Sequence, residues 1–517
     1  MPTLSAMDLA MFMLESPERP FNIGPLVLLR PPATVQPGAF ADKLRNKMLK
    51  RPPGPPFNYQ LKMSLLKAPA VEPMADPELK RHVHRLTLDQ APMQQLMEQV
   101  CVLHEPLLDR SGLLWQFWII DGLADGRIAL YGKVHHGIID GRTFVKAITQ
   151  WLSPDAKDKE VRALWDGVAR SGAAERERAG LVQRLLKGGA VATGLLRTTA
   201  GVAGMMAEQG LRSAGLGMGR GLPLPFLKVP GVFEGRLSAK RSFAWSTLPL
   251  AEMKALGKAH GATINDMLLT VLDIAMHRYL AERGQKIAGS LVADMPVALT
   301  GAKGGNQIAV LQFPLGVGNA SVLQRLDKIR AETVRLKASL GQRGSEAVML
   351  YTTLVHALPV LVERVAAKAA PMHSNLMVSN PFGVEGERWL MGAAVELALP
   401  VSVIAAGHKL NITAVTLGTR LQLGLLAMPD AVPQLERLAQ LTGEAFAELS
   451  AALAPTPPAP PSEPLPAPPP ARRRSKPAAT PHRAGASASK APASGGRTAR
   501  AKTTTHPRKP KAGANQK

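Results

Sequence analysis

Residues 128–141 read IALYGKVHHGIIDG, and this stretch indicates both a fold class and a place for chemistry. Large apolar side chains alternate with smaller or polar ones over residues 128–134, which is typical of a β-strand. The pattern runs directly into two histidines, His135 and His136. We therefore predict a strand over residues 128–134 that presents both histidines at its end.

The histidine pair suits acid–base chemistry, because the reference pKa of imidazole is about 6.5. Asp140, four residues after His136, can hold the turn by pairing with an arginine or by accepting backbone N–H bonds. Gly137 and Gly141 supply the backbone freedom that a tight turn requires. No serine or cysteine of a nucleophile elbow stands beside the pair. The simplest chemistry is one step: a histidine deprotonates an alcohol, which attacks an activated acyl carbonyl.

Two plainer interpretations of the pair stand beside catalysis. The chain has 12 histidines, and a lone histidine is usually structural or solvated. A histidine pair with Asp140 also has the composition of a metal site. A third ligand is not evident, however, and the single cysteine, Cys101, is far away in the sequence. We expect no metal.

A second pattern begins at Thr263. Thr263 and Asp266 have the spacing of a capping box, with a threonine N-cap and an acid three residues later. The helix that begins there places apolar side chains on one stripe. The stripe consists of Ile264, Met267, Leu268, Val271, Ala275 and Tyr279.

Composition bounds the class of protein. Of the 517 residues, 46% are hydrophobic and 20% are charged, which is ordinary for a globular protein with a large core. One cysteine excludes an internal disulfide framework and a multi-cysteine zinc site. Asp8 and Glu15 interrupt the apolar N-terminal stretch, which lacks the basic region of a secretory signal. No uninterrupted apolar run reaches the roughly 18 residues of a spanning helix, so a soluble or peripheral protein is the default.

Changes in composition divide the chain into four parts. Residues 1–155 and 239–453 mix helix-like and strand-like patterns, and we predict an α/β domain for each. Residues 156–238 form a basic segment rich in Gly and Ala, either a crossover linker or an interfacial amphipathic region. Residues 454–517 are rich in Pro, Ala, Lys and Arg without periodicity, and we expect this tail to be disordered.

The position of the basic residues suggests partners. The net charge is +24, of which the tail from Pro455 onward carries +12, whereas residues 181–220 carry +4. A basic tail can bind nucleic acid through counterion release, although this one has no aromatic residues to stack on bases. A solubilising or membrane-tethering appendage is the interpretation that we favour.

Several motifs together resemble one family. The string HHGIIDG, residues 135–141, matches the HHxxxDG motif of the CoA-dependent acyltransferase superfamily. Over residues 4–450 the chain resembles the bacterial wax ester synthase/acyl-CoA:diacylglycerol acyltransferase family. The supporting segments, in order, are LSAMD (4–8), PFNIG (20–24), PLLDRSGLLW (106–115), IND (264–266), SNP (379–381), PVS (400–402) and GHKLNIT (407–413).

The resemblance implies roles for individual residues. His136, the second histidine of the motif, would be the general base; His135 would shape the loop, and Asp140 would orient the motif. The remaining residues that the motifs mark are Gly141, Asn265 and Asp266 as supporting residues, and Trp115, Ser379 and Asn380 as candidates for lining a substrate channel. Asn265 and Asp266 are also good first-turn residues of a helix whatever the function.

The resemblance further implies two domains, each a mixed sheet with flanking helices, and a channel between them. The implied reaction moves a fatty acyl group from acyl-CoA to diacylglycerol or a long-chain alcohol, with acyl-CoA as co-substrate and no cofactor. Another hydroxyl acceptor is the alternative, because residues 379–384 (SNPFGV) depart from the SNVPGP motif of the family. The products are nearly insoluble in water. We therefore expect a cytoplasmic protein bound to the inner membrane face or to lipid inclusions, with an anionic surface as partner.

Overall fold

The computed structural model describes residues 4, 6–62, 69–168, 229–287, 289–298, 308–341, 348, 374–380 and 383–454. The basic segment at 181–220 and the tail from residue 455 onward lie outside these ranges. The predictions of an interfacial region, a disordered tail and a nucleic-acid partner all fall there.

The elements of the first half of the chain precede and follow the two histidines. They are α1 (Ala6–Leu14), β1 (Asn22–Arg30), α2 (Pro37–Met48), β2 (Tyr59–Lys62), β3 (Ala70–Pro73), β4 (Val83–Ala91), α3 (Met93–His104), β5 (Trp115–Leu123), β6 (Ile128–His135) and α4 (Gly141–Trp151). Short 3-10 turns cover Leu79–Arg81, His136–Ile138 and Leu164–Asp166.

The second half is also mixed. Its elements are β7 (Ser242–Pro249), α5 (Leu250–Ala259), α6 (Ile264–Ala281), β8 (Val292–Ala298), β9 (Ile308–Pro314), α7 (Val322–Gly341), β10 (Leu376–Ser379), β11 (Trp389–Leu390), β12 (Ala393–Val401), β13 (Leu410–Leu417), β14 (Arg420–Ala427) and α8 (Leu435–Leu453). Among the described residues, no helix is long and apolar enough to cross a membrane.

Two six-stranded sheets form the frame of the molecule. The first has the order β11-β12-β1-β6-β5-β4, in which only β4 and β5 run parallel. The second has the order β7-β14-β13-β10-β8-β9, in which β10 runs parallel to both neighbours. Strands β2 and β3 form a separate hairpin. Both large sheets are mixed and are flanked by helices, so the predicted α/β fold class is confirmed.

The first sheet is completed by a distant part of the chain. Strand β12 pairs antiparallel with β1, with Gly24 opposite Val401, and β11 extends the same edge. Residues 389–401 therefore belong to the sheet of the N-terminal half, although they lie within the predicted second domain. The domain boundaries themselves stay a prediction.

The central strands of the first sheet are buried on both faces. In β1, Leu26 and Leu28 point into a core shared with the second sheet, whereas Val27 and Leu29 point into a second core on the opposite face. Strand β6 alternates in the same way, and every residue of it is buried. The predicted strand at 128–134 is confirmed, and its burial explains why apolar residues stand on both faces.

Helix α6 begins as predicted. The Thr263 hydroxyl accepts the Asp266 N–H at 3.2 Å, and an Asp266 carboxylate oxygen accepts the Thr263 N–H at 2.8 Å. The predicted stripe is buried, apart from the half-buried Ile264. The helix is buried well beyond that stripe, however, because α5, α7 and α8 also pack on it.

Candidate active site

The histidine loop connects β6 to α4. Asp140 is the N-cap of α4: one carboxylate oxygen accepts the N–H groups of Arg142 and Thr143, each at 3.0 Å. The other oxygen accepts the Thr143 hydroxyl at 2.8 Å. The predicted acceptance of backbone N–H bonds by Asp140 is confirmed. Gly141 is the first residue of α4.

His136 has a defined ring orientation. Its backbone N–H donates to the Phe21 carbonyl oxygen at 2.8 Å, and its Nδ1 lies 3.1 Å from the Ile139 carbonyl oxygen. A carbonyl oxygen only accepts, so Nδ1 carries the proton and Nε2 of the neutral ring has a lone pair. The side chain is half-buried. Its Nε2 can therefore accept a proton from a substrate hydroxyl.

His135 has the opposite tautomer. Its Nδ1 accepts the Gly137 N–H at 3.0 Å, so the proton of the neutral ring is on Nε2, which lies 3.4 Å from a Glu15 carboxylate oxygen. The residue is completely buried. Burial lowers the pKa of His135 against the opposing effect of Glu15, which keeps the ring neutral. His135 therefore supports the turn and has no basic nitrogen free for substrate.

Gly137 is needed for space. Its φ is not in the left-handed region. A Cβ atom there would lie 2.7 Å from the Phe12 ring and 3.0 Å from His135 Nδ1. The expectation of backbone freedom is thus corrected: close approach of α1 to the turn excludes a side chain.

The motif segments from the N-terminal half meet beside β6. The Asn22 side-chain amide donates to the carbonyl oxygens of His104 and Pro106, both at 3.0 Å. The Lys133 ammonium donates to Leu103 and Pro106, both at 2.8 Å. Burial lowers the pKa of Lys133 to about 8. These bonds fix the end of α3 and the segment that follows it against β1 and against β6, the strand that carries the histidines.

His104 links this segment to the second half of the chain. Its Nε2 lies 3.0 Å from the Ser402 carbonyl oxygen, and its Nδ1 lies 2.6 Å from the Tyr131 hydroxyl. Burial lowers the pKa of His104 to about 3, so the ring is neutral. It donates to Ser402 and accepts from Tyr131.

Two predicted site residues from different motifs are in contact in the second half. The Asn380 side-chain amide donates to the Asn265 side-chain oxygen at 3.0 Å. Both asparagines line a pocket whose other walls are mainly apolar. The other lining residues are Leu268, Leu269, Met295, Pro296 and Val378. The pocket thus has an amide pair beside apolar walls.

The neighbouring motif residues, Asp266 and Ser379, make hydrogen bonds that connect secondary-structure elements. Asp266 closes the capping box and also accepts the Thr333 hydroxyl at 2.6 Å, which ties α6 to α7. The Ser379 hydroxyl lies 2.8 Å from the Thr413 hydroxyl on the adjacent strand β13. A channel role for Ser379 stays a prediction.

Trp115 lies in the core on the face of the first sheet opposite the shared core, the same core that holds Val27 and Leu29. Its indole N–H donates to the Phe57 carbonyl oxygen at 2.7 Å, and its ring stacks on Trp165 with centroids 4.8 Å apart. The side chain is almost completely buried. Its position is that of a packed core residue, and a channel role stays a prediction.

Glu15 is the site residue that sequence reasoning missed. It served there only as evidence against a secretory signal. Burial alone would raise the pKa of its carboxyl, but bonds from His135, the Phe21 N–H and Arg110 outweigh burial and hold the pKa below its usual range. A buried, ionised carboxylate therefore lies next to the histidine loop.

The described residues contain no group of three or more His, Cys, Asp or Glu side chains that could hold a metal ion.

Comparisons with known proteins agree on one family. The model of the wax ester synthase/diacylglycerol acyltransferase catalytic domain matches residues 4–268, and that of the C-terminal domain of the same family matches residues 304–450. The chain is 32% identical over 468 residues to the probable diacylglycerol O-acyltransferase Tgs4 of Mycobacterium tuberculosis, covering 87% of this chain and 96% of that protein.

Solved structures show the same fold. The wax ester synthase/diacylglycerol acyltransferase from Marinobacter aquaeolei VT8 aligns with a TM-score of 0.65 at 21% identity, over 87% of this chain and 99% of that one. The first condensation domain of the calcium-dependent antibiotic synthetase aligns with a TM-score of 0.53 at 15% identity, over 88% and 96% of the two chains.

Proposed function

The chain belongs to the wax ester synthase/diacylglycerol acyltransferase family, and from this premise we propose that His136 is the general base in its acyl transfer. The protein is an acyltransferase that uses acyl-CoA and an acceptor of the diacylglycerol or long-chain alcohol type. One observation carries the proposal: the Ile139 carbonyl oxygen holds the His136 proton on Nδ1 and leaves Nε2 as the basic atom.

The reaction then needs no covalent enzyme intermediate. His136 Nε2 removes the proton of the acceptor hydroxyl while its oxygen attacks the thioester carbonyl of acyl-CoA. This attack forms the new C–O bond. Collapse of the tetrahedral adduct then restores the carbonyl and breaks the C–S bond, and the CoA thiolate takes the proton back from the imidazolium. A positioned general base contributes typically about 10²- to 10⁴-fold in rate. Acyl-CoA is the co-substrate, and the scheme uses no further cofactor.

Water exclusion and positioning must supply the rest of the rate. Water in the site would hydrolyse the thioester. The acceptor hydroxyl, and not water, therefore has to occupy the position next to His136. Hydrogen bonds of His135 and Asp140 within the loop, and of Asn22 to the adjoining segment, support such positioning.

The test is transfer of labelled acyl-CoA to diacylglycerol, to hexadecanol or to no acceptor. His136→Ala should lose at least about 100-fold in kcat with each true acceptor, whereas His260→Ala, at an exposed histidine, should match wild type. Wild-type activity of His136→Ala would overturn its role. Release of CoA with neither acceptor, but with another alcohol, would identify a different hydroxyl substrate. The altered residues 379–384 make that outcome worth testing.

Association with an anionic lipid surface is part of the same proposal. Its support is the insolubility of the products, the charge of +4 at residues 181–220 and the charge of +12 in the tail. Each basic residue near such a surface contributes at most about 1 kcal/mol, screened over roughly 8–10 Å at physiological salt. Flotation with anionic vesicles, for the full chain and for a chain ending at residue 454, separates the two regions. A salt-resistant bound fraction after truncation would indicate apolar insertion by residues 181–220, and complete loss at high salt would exclude it.

A further inference from the structure

Helix α1 is docked directly on the histidine turn. The Phe12 ring stacks on the His135 ring, with centroids 4.0 Å apart and planes 2° apart. Immediately after α1, the Glu15 side chain is 1% exposed, so a carboxylate lies inside the protein next to this stack. A buried carboxylate is costly unless it is paired and hydrogen-bonded, which makes its partners informative.

Glu15 has three partners, and two of them lead to the histidines. Its Oε1 accepts the Phe21 N–H at 2.9 Å and lies 3.4 Å from the His135 Nε2. Its Oε2 accepts a guanidinium N–H of Arg110 at 3.0 Å. The same guanidinium nitrogen donates to the Phe12 carbonyl oxygen at 2.7 Å. Glu15 therefore joins α1, the β1 approach and the histidine turn.

Both routes end at His136. Through the first, the Glu15 carboxylate faces His135 Nε2 at 3.4 Å, and His135 Nδ1 accepts the Gly137 N–H of the turn. Through the second, Glu15 holds Phe21, whose carbonyl oxygen accepts the His136 N–H at 2.8 Å. The backbone on either side of His136 is thus tied to one buried carboxylate.

The geometry points to Glu15 as a positioning residue that sets the placement of His136 through His135 and Phe21. This inference rests on the proposed role of His136 as the base. A carboxylate suits this place because three donors face it, the Phe21 N–H, the His135 Nε2–H and the Arg110 guanidinium, and an ionised carboxylate only accepts. A glutamine can replace one oxygen, but its NH₂ group then faces a donor.

The experiment compares Glu15→Ala, Glu15→Gln and the matched control Glu18→Gln, whose side chain is exposed three residues away. Activity is measured per folded molecule, with kcat and KM for acyl-CoA determined separately and folding checked by thermal denaturation. A misplaced base lowers kcat without weakening acyl-CoA binding. We expect Glu15→Ala to lose about 10- to 100-fold in kcat at unchanged KM. Glu15→Gln should recover part of that loss, and Glu18→Gln should equal wild type.

The outcomes separate this inference from the proposed function. If Glu15→Ala, or Glu15→Gln where the alanine variant does not fold, retains wild-type kcat per folded molecule, Glu15 is only structural and the inference fails. His136→Ala in the same assay reports on the base independently. An inactive His136→Ala beside a fully active Glu15 variant keeps the proposed function and overturns the inference, whereas an active His136→Ala overturns the proposed function.

Discussion

Phe12 and His135 are stacked face to face, with ring centroids 4.0 Å apart and planes inclined by 2°. The two adjacent histidines therefore divide into a buried residue that packs on α1 and a half-buried residue that does not share this stack. His135 is buried, accepts the Gly137 N–H and has its Nε2 3.4 Å from a Glu15 carboxylate oxygen, whereas His136 is half-buried with one ring nitrogen held by Ile139. Neighbours in sequence thus differ in what their substitution removes.

The first prediction concerns the stability of the two histidine-to-alanine variants. His135→Ala removes a buried ring from the Phe12 stack and leaves the Gly137 N–H without its acceptor, so we expect a loss of about 2–4 kcal/mol in the free energy of unfolding. His136→Ala should cost below about 1 kcal/mol, because its ring is only half-buried. Urea unfolding followed by circular dichroism measures both. Equal losses would contradict the division.

Gly137→Ala should impair activity through the same contact. The new Cβ would lie 2.7 Å from the Phe12 ring, so α1 or the turn must move. We expect a fall in kcat of about 10-fold or more, since small displacements of a catalytic group are costly. The control is the double variant Gly137→Ala with Phe12→Leu. Replacing the Phe12 ring by a smaller aliphatic side chain makes room for the new Cβ, so the double variant should recover activity. No recovery would place the clash elsewhere.

Asp140 should act as a helix cap. Asp140→Ala loses the bonds to the Arg142 and Thr143 N–H groups and should destabilise the protein by about 1 kcal/mol. Asp140→Asn keeps an oxygen for both N–H groups and should retain most of that stability. If the asparagine variant were as unstable as the alanine variant, charge and not capping would be the role of Asp140.

Local patterns in the sequence were sufficient for elements whose partners are close along the chain. The strand at 128–134 and the capping box of Thr263 and Asp266 are examples, because alternation and capping act over a few residues. The pairing of Gly24 with Val401 was not predictable in this way. It depends on packing between segments far apart in the chain, and no local pattern encodes that.

The same limit applies to the candidate site. Its motifs marked His135, His136, Asn265 and Asn380, but not the contacts among distant residues. Glu15 meets His135 from 120 positions away in the sequence, and its signal in the sequence was only an acid that interrupts an apolar stretch. An acid at the buried end of an apolar helix is a signal that could have been used, because such a carboxylate needs partners.

His277, Asp273 and Arg325 form a buried cluster of ionisable side chains, and this cluster predicts that the free energy of unfolding depends on pH. Burial lowers the pKa of His277, but the hydrogen bonds and charge of Asp273 outweigh it and raise that pKa above 6.5, with Arg325 opposing. A raised folded pKa stabilises the protein fully below the unfolded value and loses that stabilisation as pH rises through the folded pKa.

The measurement is the free energy of unfolding of wild type and His277→Gln between about pH 5.5 and 9. The advantage of wild type should be largest at the acid end and should shrink as the pH rises. The surface variant His260→Gln should follow wild type throughout. An advantage that grows with pH would show that Asp273 does not hold His277 in its charged form.

The bond between Asn380 and Asn265 makes a prediction about coupling. The two amides line one pocket and are joined by a 3.0 Å hydrogen bond, so each orients the other at its wall. If the pair acts on substrate as a unit, Asn265→Ala and Asn380→Ala should each lower kcat/KM, and the double variant should lose little more than either one. The coupling free energy should then lie at about 0.5–3 kcal/mol, as for residues in direct contact.

Asn46→Ala, at an exposed position on α2, is the control: it should leave kcat/KM unchanged and should show no coupling to either asparagine. Strictly additive losses would mean that the bond is incidental to catalysis. Wild-type kcat/KM in both single variants would show that this asparagine pair takes no part in the reaction.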